Sequence, residues 1–249
     1  MFERHIEIRA DVVIKTHVPE LMRVEVEKLT RAYRIAQDCG LFQVPRVLDY
    51  DDQEGRVVLE RLHNIRPVRH MLANGTVCNS LVDTLGRSLA AVHRELTLPD
   101  EMRIPLPPQV AMPGSSEVFL HGDFNTDNVF MRRCGEPIVI LDWRMTFCFG
   151  ERATYGTRYF DLAWFVLGMF DLPVHRYPIC EPPGPRAQRF LRSYFRAAGC
   201  DYNQGELRRY MKNFIGIQRA VWKSAPWRRR VTLTPRWARL SAFMESIRL

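Results

Sequence analysis

Residues 117–143 read Glu-Val-Phe-Leu-His-Gly-Asp-Phe-Asn-Thr-Asp-Asn-Val-Phe-Met-Arg-Arg-Cys-Gly-Glu-Pro-Ile-Val-Ile-Leu-Asp-Trp. A short apolar run, Val118–Leu120, enters the loop His121-Gly122-Asp123. Asn128 follows Asp123 by five residues, and Val129–Met131 resume an apolar run. The turn Arg132–Pro137, with Gly135 inside it, leads to the apolar run Ile138–Leu141, which delivers Asp142. Short β-branched runs around a glycine-bearing turn read as a hairpin. That hairpin brings Asp123, Asn128 and Asp142 to one end of two strands. Two carboxylates and an amide oxygen are hard ligands of the kind Mg²⁺ takes.

Phosphoryl transfer needs that set. One carboxylate orients the attacking hydroxyl and accepts its proton, while an amide and a second carboxylate hold the metal that bridges the nucleotide phosphates. The order His-Gly-Asp, five residues to Asn, fourteen more to an Asp behind a β-branched run resembles the aminoglycoside phosphotransferase and choline kinase branch of the protein-kinase-like superfamily. That branch has His-Gly-Asp-x-x-x-x-Asn where protein kinases have His-Arg-Asp, and Ile-x-Asp-Trp where they have Asp-Phe-Gly. The resemblance implies an α+β, two-lobed protein-kinase-like fold. Residues 1–62 would form a reduced nucleotide-binding lobe and residues 63–249 a mainly helical catalytic and acceptor-binding lobe.

The flanking chain fits that outline. His5–Arg9 and Val12–Thr16 read as strands around the turn Ala10-Asp11. A helix follows from Pro19, which suits a first turn, to Cys39-Gly40, where glycine supplies the left-handed cap. Met22, Val26, Leu29, Tyr33 and Ala36 share one face. At ~100° per residue, Glu25 lies about 60° from that stripe and Glu27 about 140° from it. Glu25 therefore points inward and Glu27 outward. By the resemblance, Lys15 contacts nucleotide phosphates and Glu25 is its ion-pair partner. Val44–Leu48 and Arg56–Leu62 read as strands, the second ending at a hinge where backbone groups near Glu60 and Leu62 would hold the base of ATP or GTP.

Ser80 is a candidate N-cap for a helix whose Leu81, Leu85, Leu89 and Val92 share a face, with a structural His93 near its end. Five prolines mark Leu96–Ser116 as a connecting loop. After Asp142 a loop, Arg144–Arg158, precedes an apolar helix containing Asp161, which in relatives ties to the catalytic-loop backbone. Pro173–Pro185 reads as a turn region. Arg186–Ala198, Gln204–Ala225 and Pro235–Arg248 read as helices, which in the family wall the acceptor site.

Apolar content of 46% and charged content of 26% are those of a globular protein. No apolar run nears the ~20 residues that span a bilayer, and Met1–His5 lack a signal-like core. Six scattered cysteines without a Cys-x-x-Cys pair argue against zinc or a disulfide framework and fit a cytoplasmic chain. The net charge is +8, and from Glu181 onward fifteen Lys or Arg face four acids. Such a basic third disfavours a polycationic acceptor and favours a sugar, a phosphorylated metabolite or an anionic glycolipid. The same excess is also the mark of a surface for nucleic acid or anionic membrane.

Two features depart from the family pattern. Only fourteen residues precede Lys15, none of them glycine, so the expectation is either a reduced nucleotide-covering hairpin without the full glycine-rich loop or a start site placed too late. Arg144 follows Asp142-Trp143 where many relatives have an acid, and a guanidinium there could meet an anionic acceptor or a phosphate. The leading reading is a Mg²⁺-dependent phosphotransferase with a small-molecule or glycan hydroxyl as acceptor. Asp123 would be its base and Asn128 and Asp142 its metal ligands. A kinase-like binding module is the alternative. A protein kinase is disfavoured, because Asn125 stands where those enzymes have lysine and no Ala-Pro-Glu triplet follows Asp142.

Overall fold

The computed structural model describes residues 4–112, 114–133, 136–171, 182–200, 203–222 and 227–247, with the backbone only at 222 and 227–235. Most of the proline-rich turn, together with Pro113, Cys134, Gly135, Cys180 and the rings of Trp222 and Trp227, lies outside the described residues.

The chain opens on an antiparallel hairpin, β1 (His5–Ile8) and β2 (Val12–Thr16), in which Ile6 faces Lys15. β5 (Arg56–Glu60) pairs with β2, and β4 (Val47–Asp51) with β5, giving a sheet ordered β1-β2-β5-β4. Between β2 and β4 runs α1 (Pro19–Cys39), closed by Gly40 at φ 64°. Its buried face is Met22, Glu25, Lys28, Leu29, Ala32, Ile35 and Ala36. Val26 and Tyr33, expected on that stripe, are only half-buried. The stripe is displaced because two charged residues of α1 find partners inside the protein, described below.

Val44–Leu48 does not form one strand. Pro45 lacks the N–H a ladder needs, and β3 (Phe42–Gln43) and β4 lie on either side of it in different sheets. β3 runs parallel to β9 (Ile138–Ile140), which pairs antiparallel with β8 (Val129–Met131), and β6 (Arg66–Pro67) completes that sheet on β8. The expected hairpin is therefore β8–β9. The run before His121, β7 (Glu117–Phe119), instead pairs with the distant β10 (Tyr155–Thr157).

The helices are α2 (Val68–Ala73), α3 (Asn79–Glu95), α4 (Tyr159–Met169), α5 (Pro183–Ala198), α6 (Gln204–Trp222) and α7 (Trp227–Ser246). Three starts differ from the sequence expectation. Cys78 occupies the N-cap of α3, so Ser80 is already helical. Pro183 begins α5, because a first-turn proline forfeits no intrahelical bond. Pro235 lies inside α7 rather than opening it. Gly86 of α3 admits the α5 backbone closely: a Cβ there would stand 2.6 Å from the Phe190 carbonyl oxygen. Phe124, Trp143, Phe160, Phe165, Phe190, Tyr194 and Phe214 fill the core between these helices and the second sheet. Each such ring contributes roughly 1.5–3 kcal/mol on burial. Among the described residues no helix is long and apolar enough to cross a membrane.

Candidate active site

The loop between β7 and β8 is fixed from three sides. Gly122 has φ 91°, and a Cβ there would lie 2.9 Å from Met145 Cα. Only glycine takes this conformation and this approach without strain. Asp161, at the start of α4 and fully buried, accepts the His121 N–H at 2.8 Å and the Gly122 N–H at 3.0 Å. The same carboxylate meets His93 Nε2 at 2.9 Å, and His93 Nδ1 meets the Tyr194 hydroxyl at 2.8 Å. Burial alone would raise the Asp161 pKa, but His93 and the loop N–H groups prevail and hold it below the ordinary carboxylate value. From the third side, Lys28 of α1 donates to the His121 carbonyl at 2.9 Å. Burial lowers the Lys28 pKa to about 8 and that of the His121 ring to about 3. The imidazole is thus neutral and structural.

The Asp123 carboxylate receives three N–H donors. Asn125 Nδ2 at 2.8 Å and Trp164 Nε1 at 2.6 Å reach Oδ1, and Asn128 Nδ2 reaches Oδ2 at 2.7 Å. Asn125 is itself set by an Asx turn, its Oδ1 accepting the N–H groups of Asp127 (2.8 Å) and Asn128 (3.0 Å). Desolvation is the largest influence on Asp123 and, with the nearby Asp142 charge, raises its pKa to about 7 despite those donors. Asn128 turns its amide nitrogen to Asp123, which leaves its side-chain oxygen to other partners.

Asp142 follows β9 at φ 60°, a left-handed conformation unusual outside glycine. Its Oδ1 takes Lys15 Nζ at 3.0 Å and an Arg4 guanidinium nitrogen at 2.5 Å. Lys15 Nζ also lies 2.5 Å from Glu25 Oε1. Burial works against ionising Asp142, but Lys15 and Arg4 hold its carboxyl well below the usual range. Burial likewise works against the Lys15 charge, and Glu25 with Asp142 raises its pKa nonetheless. Glu27 faces outward and pairs with Arg31 at 2.6 Å. Arg144 pairs with Glu151, 3.0 Å away.

A cleft of about 300 Å³ joins these groups to the N-terminal sheet; Arg4, Ile8, Lys15, Leu62, Asn128 and Asp142 are among its walls, with Glu60 beside Leu62. The Glu60 N–H is engaged by the Arg46 carbonyl and the Arg61 N–H by the Asp11 carbonyl, both at 2.9 Å. A second hollow of about 260 Å³ lies beside the 121–128 loop, lined by Asn125, Phe147, Trp164, Asp171, Gln218 and Arg236 among others. Of the basic C-terminal third, the described arginines of α5 line an outer groove against α3 instead. Sequence reading missed Arg4, Lys28, Trp164 and Gln218. For Trp164 a signal existed: it lies three residues after Asp161 and so shares its helical face.

Comparison with known proteins narrows the kind of site this is. Residues 97–211 match the model of APH, the phosphotransferase enzyme family. That APH span holds Asp123, Asn128, Asp142, Asp161 and Trp164. No curated protein sequence matches the chain. Among solved structures, a glucosamine kinase aligns over 98% of this chain and 74% of its own, with TM-score 0.60 and 14% identity. The GDP and kanamycin complex of APH(2")-IIia aligns over 99% and 89%, with TM-score 0.58 and 14% identity. A choline/ethanolamine kinase family protein from Mesorhizobium loti aligns over 97% and 85%, with TM-score 0.54 and 15% identity. At these identities the likeness is one of fold. The chain has the α+β, protein-kinase-like fold, with an N-terminal sheet and a mainly helical C-terminal part.

Proposed function

We propose that this chain is a Mg²⁺-dependent phosphotransferase that moves the terminal phosphate of ATP or GTP to a hydroxyl of a small molecule or glycan. The observation that carries the reading is the Asp123 carboxylate, clamped by Asn125, Asn128 and Trp164 within a span matching a phosphotransferase family. In this reading residues 1–62 hold the nucleotide and residues 63–249 carry the base and the acceptor site.

The residues present fit a magnesium ion. Among the described residues no cluster of three His, Cys, Asp or Glu side chains could enclose a metal. Two protein oxygens, from Asn128 and Asp142, are what Mg²⁺ requires when phosphates and water complete its shell. Bound there, it would neutralise charge on the transferring phosphoryl group. Lys15, braced by Glu25, holds phosphate oxygens through its ammonium. The Leu62 backbone, with Glu60 beside it, borders the base end of the cleft. Asp123 Oδ2 orients the acceptor O–H and takes its proton as the oxygen bonds to phosphorus and the nucleoside diphosphate leaves. Because the transition state is loose, positioning and charge neutralisation supply most of the rate.

One observation favours a second reading, a kinase-like nucleotide-binding module: Arg4 occupies the carboxylate that would face the metal. Nucleotide hydrolysis and binding with and without Mg²⁺, for wild type and Asp123→Asn, separate the two. Mg²⁺-dependent hydrolysis lost in the variant supports the enzyme; binding indifferent to Mg²⁺, without turnover on any acceptor, supports the module.

A further inference from the structure

We propose that the acceptor is an uncharged polyhydroxyl compound of about monosaccharide size, held through Gln218 in the hollow beside Asp123; this rests on the phosphotransferase reading above. At about 260 Å³ the hollow lies at or below the lower end of small-molecule pockets, roughly 300–1,000 Å³. One ring fits it better than an oligosaccharide.

Among the described residues, the charged side chains that line the hollow all have ion-pair partners. Asp171 lies 3.1 Å from Arg236 and 3.8 Å from Arg69, and Asp127 lies 3.0 Å from Arg69. Arg236 also donates to the Leu167 carbonyl at 3.0 Å. An ammonium ligand needs a carboxylate without a partner, and the two described lining acids, Asp127 and Asp171, each have an arginine. An anionic ligand needs a cation to itself, and the lining arginine is tied to Asp171 and a carbonyl. Desolvating a charged ligand without such a partner is costly. An uncharged one meets no such penalty.

What the hollow does offer is a hydrogen-bond donor without an acceptor. Gln218 is 1% exposed and lines the hollow from α6, and its Nε2 is buried without a partner. An unmet buried donor costs roughly 1–3 kcal/mol, which a hydroxyl or ring oxygen would recover. Asn125 and Thr126 add further polar edges, while Phe147, 78% exposed on the same rim, and Trp164 present aromatic surface for the C–H face of a ring. Trp164 also holds Asp123, so a ring lying against it has its hydroxyls within reach of the base.

The test is a panel of neutral hexoses and pentoses, each matched to its amino and its phosphorylated derivative. Binding by isothermal titration and nucleoside diphosphate release are measured on the full chain with MgATP or MgGTP. The expected result is a neutral sugar bound and turned over at least about tenfold better than both derivatives. Gln218→Leu then raises its Kd about tenfold, while Gln218→Glu, which adds a carboxylate to the hollow, moves preference toward the amino sugar. Preference for an amino or phosphorylated member, or binding of none, overturns the acceptor assignment while Mg²⁺-dependent nucleotide binding leaves the phosphotransferase reading standing. Loss of that nucleotide binding overturns both. Melting temperatures of the two variants within a few degrees of wild type guard against misfolding as the cause.

Discussion

Trp164 and Asp123 are joined by a 2.6 Å hydrogen bond from the indole N–H to carboxylate oxygen Oδ1. With Asn125 on the same oxygen and Asn128 on the other, the carboxylate cannot rotate about its last torsion without breaking a charge-assisted bond. Its free lone pair on Oδ2 therefore points in one direction. Such bonds contribute ~1.5–3 kcal/mol. Trp164→Phe keeps a smaller aromatic ring and loses the donor, so we expect kcat to fall roughly tenfold to a hundredfold with the nucleotide Kd unchanged. Steady-state kinetics beside nucleotide titration checks this; an unaltered kcat would remove Trp164 from the positioning of the base.

Asp123→Asn removes the proposed base and keeps the shape. Turnover should fall by about 10²–10⁴ while nucleotide binding persists. Normal turnover in a clean preparation of the variant would sink the assignment of Asp123.

The pH dependence of stability has a definite sign. In the fold Asp123 keeps its proton up to about pH 7, chiefly because it is buried, whereas in the unfolded chain it ionises near the ordinary value of ~3.9. Between these values the native state binds more protons, so this group's contribution falls as pH rises through the window and the penalty is complete above pH 7. Asp123→Asn lacks the term. Denaturant melts should find the variant more stable than wild type at pH 8, with the gap closing as pH falls toward 4. Activity of the wild type should decline below pH 7 as the base protonates.

Arg4 and Lys15 share one oxygen of Asp142. A cation binding Asp142 competes with both. Arg4→Ala should tighten nucleotide-free Mg²⁺ binding several-fold, as read by calorimetry. Asp142→Ala should abolish the Mg²⁺ dependence of nucleotide binding. Unchanged Mg²⁺ affinity in the first variant would place Arg4 outside the metal's reach.

Gly122→Ala should destabilise the fold by about 1–3 kcal/mol, because φ 91° is strained for alanine and its Cβ would stand 2.9 Å from Met145 Cα. A thermal melt indistinguishable from wild type would show that the loop relaxes instead.

Much of this architecture was legible because the signals were local. Pro19 and Gly40 bound α1, and Asp161 sits where its carboxylate reaches two loop N–H groups. The β-branched runs around Arg132–Pro137 formed the expected β8–β9 pair. The angular position of Glu25 on its helix put it toward Lys15, and the two lie in contact. What escaped depended on distant partners. β7 pairs with β10 across more than thirty residues of chain, and no periodicity in Glu117–Phe119 marks that choice. Arg4 reaches Asp142 over 138 positions. Lys28 and Gln218 are the residue types normally given to solvent, and only the packed interior shows Lys28 with a buried acceptor and Gln218 Nε2 without one among the described residues.

The Lys28 contact with the His121 carbonyl constrains motion. The helix bearing Glu25 also bears Lys28, so any swing of α1 that parted Glu25 from Lys15 would strand a fully buried ammonium from its acceptor. A charge abandoned in the interior is too expensive to serve as a resting state. The helix is therefore a bolted wall rather than a lever.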